Sequence, residues 1–177
     1  MARRKGTMSW WKSKAWEEFS KYIRIRDALR TTGGIEMAVC CSCGKIYPVF
    51  GKGCLQAGHF IPGRKNSILF CELGCHGQCY NCNLRLKGNW PPYYDFMVNR
   101  YGLSVLDQMQ RLRHLTVKFL PSQLEAMRDV YKLMYQKMFT TKTLLKGETY
   151  EDYASDITAF DSIGSRVLRM FNVETSI

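Results

Sequence analysis

The 177 residues carry 26 Lys and Arg against 15 Asp and Glu, a formal charge of +11, with 46% hydrophobic residues. That length fits one domain with an appendage, and no apolar run approaches the ~18 residues of a membrane span, which excludes a helical membrane protein. The basic excess suits a polyanion, since each phosphate neutralised by Lys or Arg releases condensed counterions; nucleic acid is the leading partner, ahead of a generically basic soluble protein.

The first segment, residues 1–34, reads as a basic helical arm. Trp16, Phe19 and Ile23 fall at spacings of three and four over residues 8–30, an amphipathic pattern that leaves Lys12, Lys14, Lys21 and Arg24 for water or phosphate. Thr31-Thr32-Gly33-Gly34 ends it.

Residues 35–92 form the chemical centre, with short strands and turns around two cysteine pairs, Cys40-x2-Cys43 and Cys79-x2-Cys82. Each pair can place two thiolates on one tetrahedral zinc, so together they close a four-sulfur structural site. Such a site stabilises a glycine-rich segment whose own core would be meagre. Cys41, Cys54, Cys71 and Cys75 are surplus. A disulfide framework is one rival reading, disfavoured by an N-terminus, Met-Ala-Arg-Arg-Lys, that lacks an apolar leader. Another ligand set drawing on Cys71, Cys75 or His76 is a second.

Between the pairs lies Ala57-Gly58-His59-Phe60, and Asn83 follows the second pair directly. A phosphodiester is cut when a base activates water, a metal ion stabilises developing charge and cations hold the strand. His59 ending the first strand of a hairpin, and Asn83 in the first turn of a helix from about residue 81 to before Pro91-Pro92, would meet that requirement. Taken alone, Asn83 reads better as a helix cap, and His76 divides evenly between metal duty and simple packing. Arg64 and Lys65 follow His59 closely enough to reach the same phosphate; Arg85 and Lys87 after the second pair, with Lys21 and Arg24, complete the candidate DNA contacts.

Residues 93–139 read as helical. Tyr94, Met97, Val98 and Tyr101 share one face before Gly102, and Leu124, Met127, Tyr131, Met134 and Met138 make a short seam opened by Pro121-Ser122. That seam pairs within the chain or builds a homodimer. Residues 140–177 are an acidic and aromatic tail, with Ile163, Val167, Leu168 and Phe171 on one face, suited to a protein partner or to covering the basic surface.

The run Phe19-Ser-Lys-Tyr-Ile-Arg-Ile-Arg-Asp27, the two cysteine pairs, Ala57-Gly58-His59-Phe60, His76-Gly-Gln78 and Gly88-Asn89 together resemble the NinG (Rap) recombination proteins of lambdoid phages over about residues 16–105. The resemblance implies an α+β fold with a small zinc-stapled ββα-metal, HNH-like core flanked by the basic helix and C-terminal helices. It implies a structure-specific DNA endonuclease acting on branched intermediates such as Holliday junctions and D-loops, in the cytoplasm of a phage-infected bacterium. Carried across, His59 is the general base, Cys40, Cys43, Cys79 and Cys82 hold structural Zn2+, and Asn83 binds a catalytic Mg2+ or Mn2+.

Two positions depart from the HNH pattern. Gly58 stands where many such nucleases have an acidic metal ligand, and Gly74 where an asparagine orients the histidine. The imidazole tautomer must then be fixed by another group, such as a main-chain carbonyl. A zinc-stabilised branched-DNA-binding accessory protein without cleavage is the alternative.

Overall fold

The computed structural model describes residues 6–145. Helix α1 (Met8–Thr32) comes first, then strands β1 (Met37–Val39), β2 (Ile46–Pro48) and β3 (Gln56–His59), the short helix α2 (Asn66–Leu69), strand β4 (Cys75–Gln78), a π-helical turn (Asn81–Arg85), and helices α3 (Trp90–Leu112) and α4 (Pro121–Thr141). The strands form two antiparallel pairs, β1 with β2 and β3 with β4, so the described residues make a small α+β fold. No helix among them is long and apolar enough to cross a membrane. The tail positions Ile163, Val167, Leu168 and Phe171 lie outside the described residues.

Helix α1 begins where the Thr7 hydroxyl accepts the Trp10 amide at 3.2 Å, satisfying one of the donors a helix start leaves open. It stops at Gly33, whose φ of 71° is the left-handed conformation that glycine adopts without steric cost. Between these ends it is a spine rather than an arm. Phe19, Tyr22 and Ile23 pack in one cluster with Leu124, Met127 and Tyr131 of α4, so the α4 seam is used within the chain and its apolar stripe is already covered.

The second half of α1 also buries charge, which the apolar pattern alone does not foretell. Asp27 Oδ1 accepts from Arg26 Nε at 2.9 Å, while Oδ2 accepts the Gly77 amide of β4 at 2.8 Å and faces His76 Nδ1 at 3.2 Å. Arg26 donates onward to the main-chain oxygens of Glu72 and Cys75, both at 2.8 Å. Burial alone would raise the Asp27 pKa, but Arg26, then His76 and Arg30, hold it well below the usual carboxylate range. The network stitches α1 to β4 through groups that leave water only as partners for one another.

Two basic residues expected to face DNA have other employment on this helix. Lys21 pairs with Glu17 and Glu18 at 3.3 and 2.8 Å. Arg24 donates to the Val49 carbonyl at 3.1 Å and lies over the Phe50 ring at 4.5 Å. Arg24 faces the loop before β3, whereas Lys21 stays half-exposed beside acids of its own helix.

Helix α3 covers the β3–β4 hairpin. Pro91 and Pro92 occupy its first turn, where the missing amide hydrogens cost nothing. Gly102, with φ 76° and ψ 165°, interrupts it where the sequence places a stop, yet helical structure resumes to Leu112. Tyr93, Met97, Tyr101, Val105 and Met109 pack with Phe60, Ile61 and Ile68.

Replacing Asp27 with Asn should therefore destabilise the fold by about 3–5 kcal/mol, the scale for removing one partner of a buried charge network. Urea titration of the two proteins checks this; a loss under about 1 kcal/mol would mean that the network is energetically idle.

Candidate metal centre and nuclease site

The first cysteine pair lies on the turn joining β1 to β2, closed by Cys40 N to Lys45 O and Gly44 N to Cys40 O, each 2.9 Å. The second spans the end of β4 and the π-helical turn. Main chain joins them as well, since the Cys41 amide donates to Gly77 O at 2.9 Å. The sulfurs of Cys40, Cys43, Cys79 and Cys82 lie within 4.8 Å of one another. Cys43 and Cys79 are 3.9 Å apart, close to the ~3.8 Å that tetrahedral Zn–S bonds of about 2.3 Å require.

This cluster could hold a thiophilic metal. Donors already point at the sulfurs: Cys79 N to Cys40 Sγ at 3.3 Å, Cys82 N to Cys79 Sγ at 3.4 Å and Asn89 Nδ2 to Cys82 Sγ at 3.4 Å. Burial works against ionising Cys79, but the Cys82 amide and the Tyr47 hydroxyl outweigh it and bring its pKa to about 7.

All eight cysteines are free thiols, and the surplus ones pack elsewhere. Cys71 lies in the core between the hairpin and α3, and Cys75 in the core with α1. His76 is not drawn toward the sulfurs. Its Nδ1 meets Asp27, and its Nε2 meets Leu73 O at 3.1 Å and the Tyr101 hydroxyl at 3.2 Å. Both ring nitrogens are thus engaged within the α1–β4 network, with Arg26 also 3.2 Å from Nδ1, and the ring is not among the four grouped sulfur ligands.

His59 closes strand β3, paired across the hairpin with Cys75. Its Nε2 lies 3.0 Å from Leu69 O; a carbonyl only accepts, so Nε2 carries the proton and Nδ1 the lone pair. The main-chain oxygen thus fixes the ring's tautomer and orientation. A Cβ at Gly74 would lie 2.7 Å from Met109 Cε, so a side chain there would displace the end of that methionine. Trp16 stacks on the imidazole at 4.9 Å, and the Arg64 guanidinium lies 4.5 Å above the other ring of the pair, that of Trp16. Burial, reinforced by the Arg64 charge, pushes the His59 pKa down to about 4 despite the Leu69 contact. The ring is a neutral base.

Gly58 is equally constrained. A Cβ at this position would lie 2.1 Å from Gln78 Oε1 and 3.1 Å from Asn83 Oδ1, so the two amide side chains take the space an acidic residue would need. Asn83 projects from the π-helical turn, a geometry often found at functional sites, and its Nδ2 donates to Gln56 Oε1 at 2.7 Å. It therefore adjoins the residue preceding His59. Gln78, which the sequence did not single out, donates through Nε2 to Ser42 Oγ at 2.6 Å and Gly88 O at 2.7 Å. Its Oε1 is buried without a hydrogen-bond donor among the described residues, a situation that costs about 1–3 kcal/mol. The only prior sign was its place in His76-Gly-Gln78-Cys79.

Of the candidate DNA contacts, Arg64, Lys65, Arg85 and Lys87 are exposed. Arg64 lies near His59 through Trp16, and Arg85 and Lys87 follow Asn83 by two and four positions.

A family model described as Bacteriophage Lambda NinG protein matches residues 3–140. The protein named Protein ninG of Salmonella phage P22 is 27% identical over 103 residues, covering 58% of this chain and 45% of the relative. Protein ninG of Escherichia phage 933W is 28% identical over the same length and shares. The match thus spans less than half the length of these relatives. No solved structure matches.

Metal analysis of the purified chain should find about one zinc per molecule, lost together with the fold of residues 35–92 when Cys79 and Cys82 are both changed to Ser. Zinc retained by the double variant would exclude this ligand set. Long-range nitrogen-15 NMR should show His59 as the neutral, Nε2-protonated tautomer at pH 6. Its folded pKa, about 4, lies below the unfolded value near 6.5. The stability it contributes is therefore whole above about 6.5 and declines as pH falls toward about 4. A His59 midpoint near 6.5 would contradict the buried, carbonyl-held ring.

Proposed function

The chain belongs to the NinG family of bacteriophage proteins, and on that premise we propose that it is a zinc-stapled, metal-dependent endonuclease of the HNH type that cuts branched DNA during phage recombination. What supports this reading is a neutral, carbonyl-held His59 directly after Gly58, the residue against which the Asn83 side chain lies. In this reading the β3–β4 hairpin and the π-helical turn are a reduced ββα-metal core, with the four cysteines on a structural zinc that fixes the turn against the hairpin.

His59 Nδ1 takes a proton from the attacking water, while the Nε2 bond to Leu69 O keeps the lone pair on Nδ1. Trp16 holds the ring plane and shields one face. Arg64 and Lys65 grip the phosphate beside the histidine, and Arg85 and Lys87 grip the strand beside Asn83. Asn83 holds a divalent ion of the magnesium or manganese class. Hard amide oxygen is the donor such ions prefer, and a buried acceptor lacking a donor lies next to it, so the residues fit the group. When bound, the ion stabilises the charge developing on the phosphate and the leaving oxygen.

The loss of the usual acid and asparagine supports a rival reading, a protein that binds branched DNA without cutting it. A labelled four-way junction separates the two. With magnesium or manganese the native chain should cut it, and His59→Ala should bind equally while cutting at least about 100-fold more slowly. Tight binding without cutting by either protein would favour the accessory role. Changing Arg64 and Lys65 together to Ala should weaken binding and lower the salt slope by about 2, roughly 1 per lost phosphate contact.

A further inference from the structure

Gln78 has an oxygen for which neither the fold nor the His59–Asn83 pair accounts. The side chain is fully buried at the end of β4. Its nitrogen faces Gly88 O at 2.7 Å, a group that only accepts, and this fixes which end of the amide is nitrogen. Oε1 therefore turns the other way, toward the Cα of Gly58. Asn83 spends its nitrogen on Gln56 Oε1, so its own Oδ1 turns to the same glycine, 3.1 Å from where a Cβ would stand. Two acceptor oxygens thus gather at one backbone position, and the buried one has no donor among the described residues. Two such acceptors need a shared donor or a cation, and neutral amide oxygens are the hard ligands that a divalent ion of the magnesium class takes.

We infer that Gln78 Oε1 is a second protein ligand of the divalent ion, beside Asn83, supplying from β4 what an acidic residue at position 58 would supply from β3. The inference rests on the metal-dependent reading above. It explains why position 58 is glycine, since any side chain there would evict the amide. It also links the two metal centres. The Gln78 nitrogen is anchored on Ser42 Oγ at 2.6 Å, inside the first cysteine turn, so the thiol cluster sets the aim of the ligand oxygen. Two neutral amides leave the ion's charge largely uncompensated, and DNA phosphates must supply the remainder. Metal and DNA should then each tighten binding of the other.

The test uses the full zinc-loaded chain. Manganese is titrated by the electron paramagnetic resonance signal of the free ion, alone and with a four-way junction present. Gln78→Met keeps the length of the side chain and removes its oxygen. It should weaken manganese affinity about 10- to 100-fold while zinc stays bound. Native affinity in that variant, with zinc retained, overturns the inference. If the variant loses zinc or fails to fold, magnesium titration of the native chain decides through the side-chain carbonyl carbons. Saturable shifts of both Gln78 Cδ and Asn83 Cγ support the pair, and a shift of Asn83 alone overturns it while leaving the hydrolytic reading intact. Absence of manganese uptake by the native chain, with or without the junction, overturns both.

Discussion

A single carboxylate organises this fold. Asp27 sits on α1, which reaches both β-hairpins, and it accepts the Gly77 amide directly, so α1 and β4 are joined at main-chain precision rather than by side-chain packing alone. Gly77 in turn offers its carbonyl to Cys41. The helix, the strand that ends in the second cysteine pair, and the turn that carries the first are therefore held by one short chain of hydrogen bonds. A buried charge is costly to desolvate, and here Arg26 offsets that cost while reaching two further carbonyls of the same loop and strand.

That arrangement determines what the neighbouring site can contain. With β4 fixed against α1, Trp16 is delivered to the imidazole of His59 from the same helix. With α3 packed over the hairpin, Met109 closes the space beside Gly74. At both positions where an HNH centre would be expected to carry a side chain, another group lies close: the Leu69 carbonyl at the imidazole and the Gln78 amide at Gly58. The departures from pattern are features of the packing, not gaps in it.

The parts of this protein with a periodic or spacing signal were legible in its sequence. The two Cys-x2-Cys pairs do gather four sulfurs, because that spacing is a local property of a turn. Helix α1 is longer than the pattern indicates by only a residue or two, and the 124–138 seam packs as an amphipathic stripe should. What the sequence concealed is long-range and polar. Nothing local distinguishes Arg26 and Asp27, which are buried, from Lys21, which is not, since partners some 50 positions away decide their fate. Arg24 looked like a DNA contact for the same reason. Gln78 was hidden because glutamine has no spacing rule, and its significance appears only beside a glycine on another strand.

The buried charges of α1 also bear on the order of events during synthesis. Asp27 and Gly77 are separated by 50 positions, so at roughly 5–20 residues per second the carboxylate leaves the ribosome several seconds ahead of its partners. Until they arrive, water is the better environment for Arg26 and Asp27, and the nascent helix has reason to stay hydrated along that side. Helix α1 is thus made before the strand it will hold, and its charged side is enclosed only once that strand arrives.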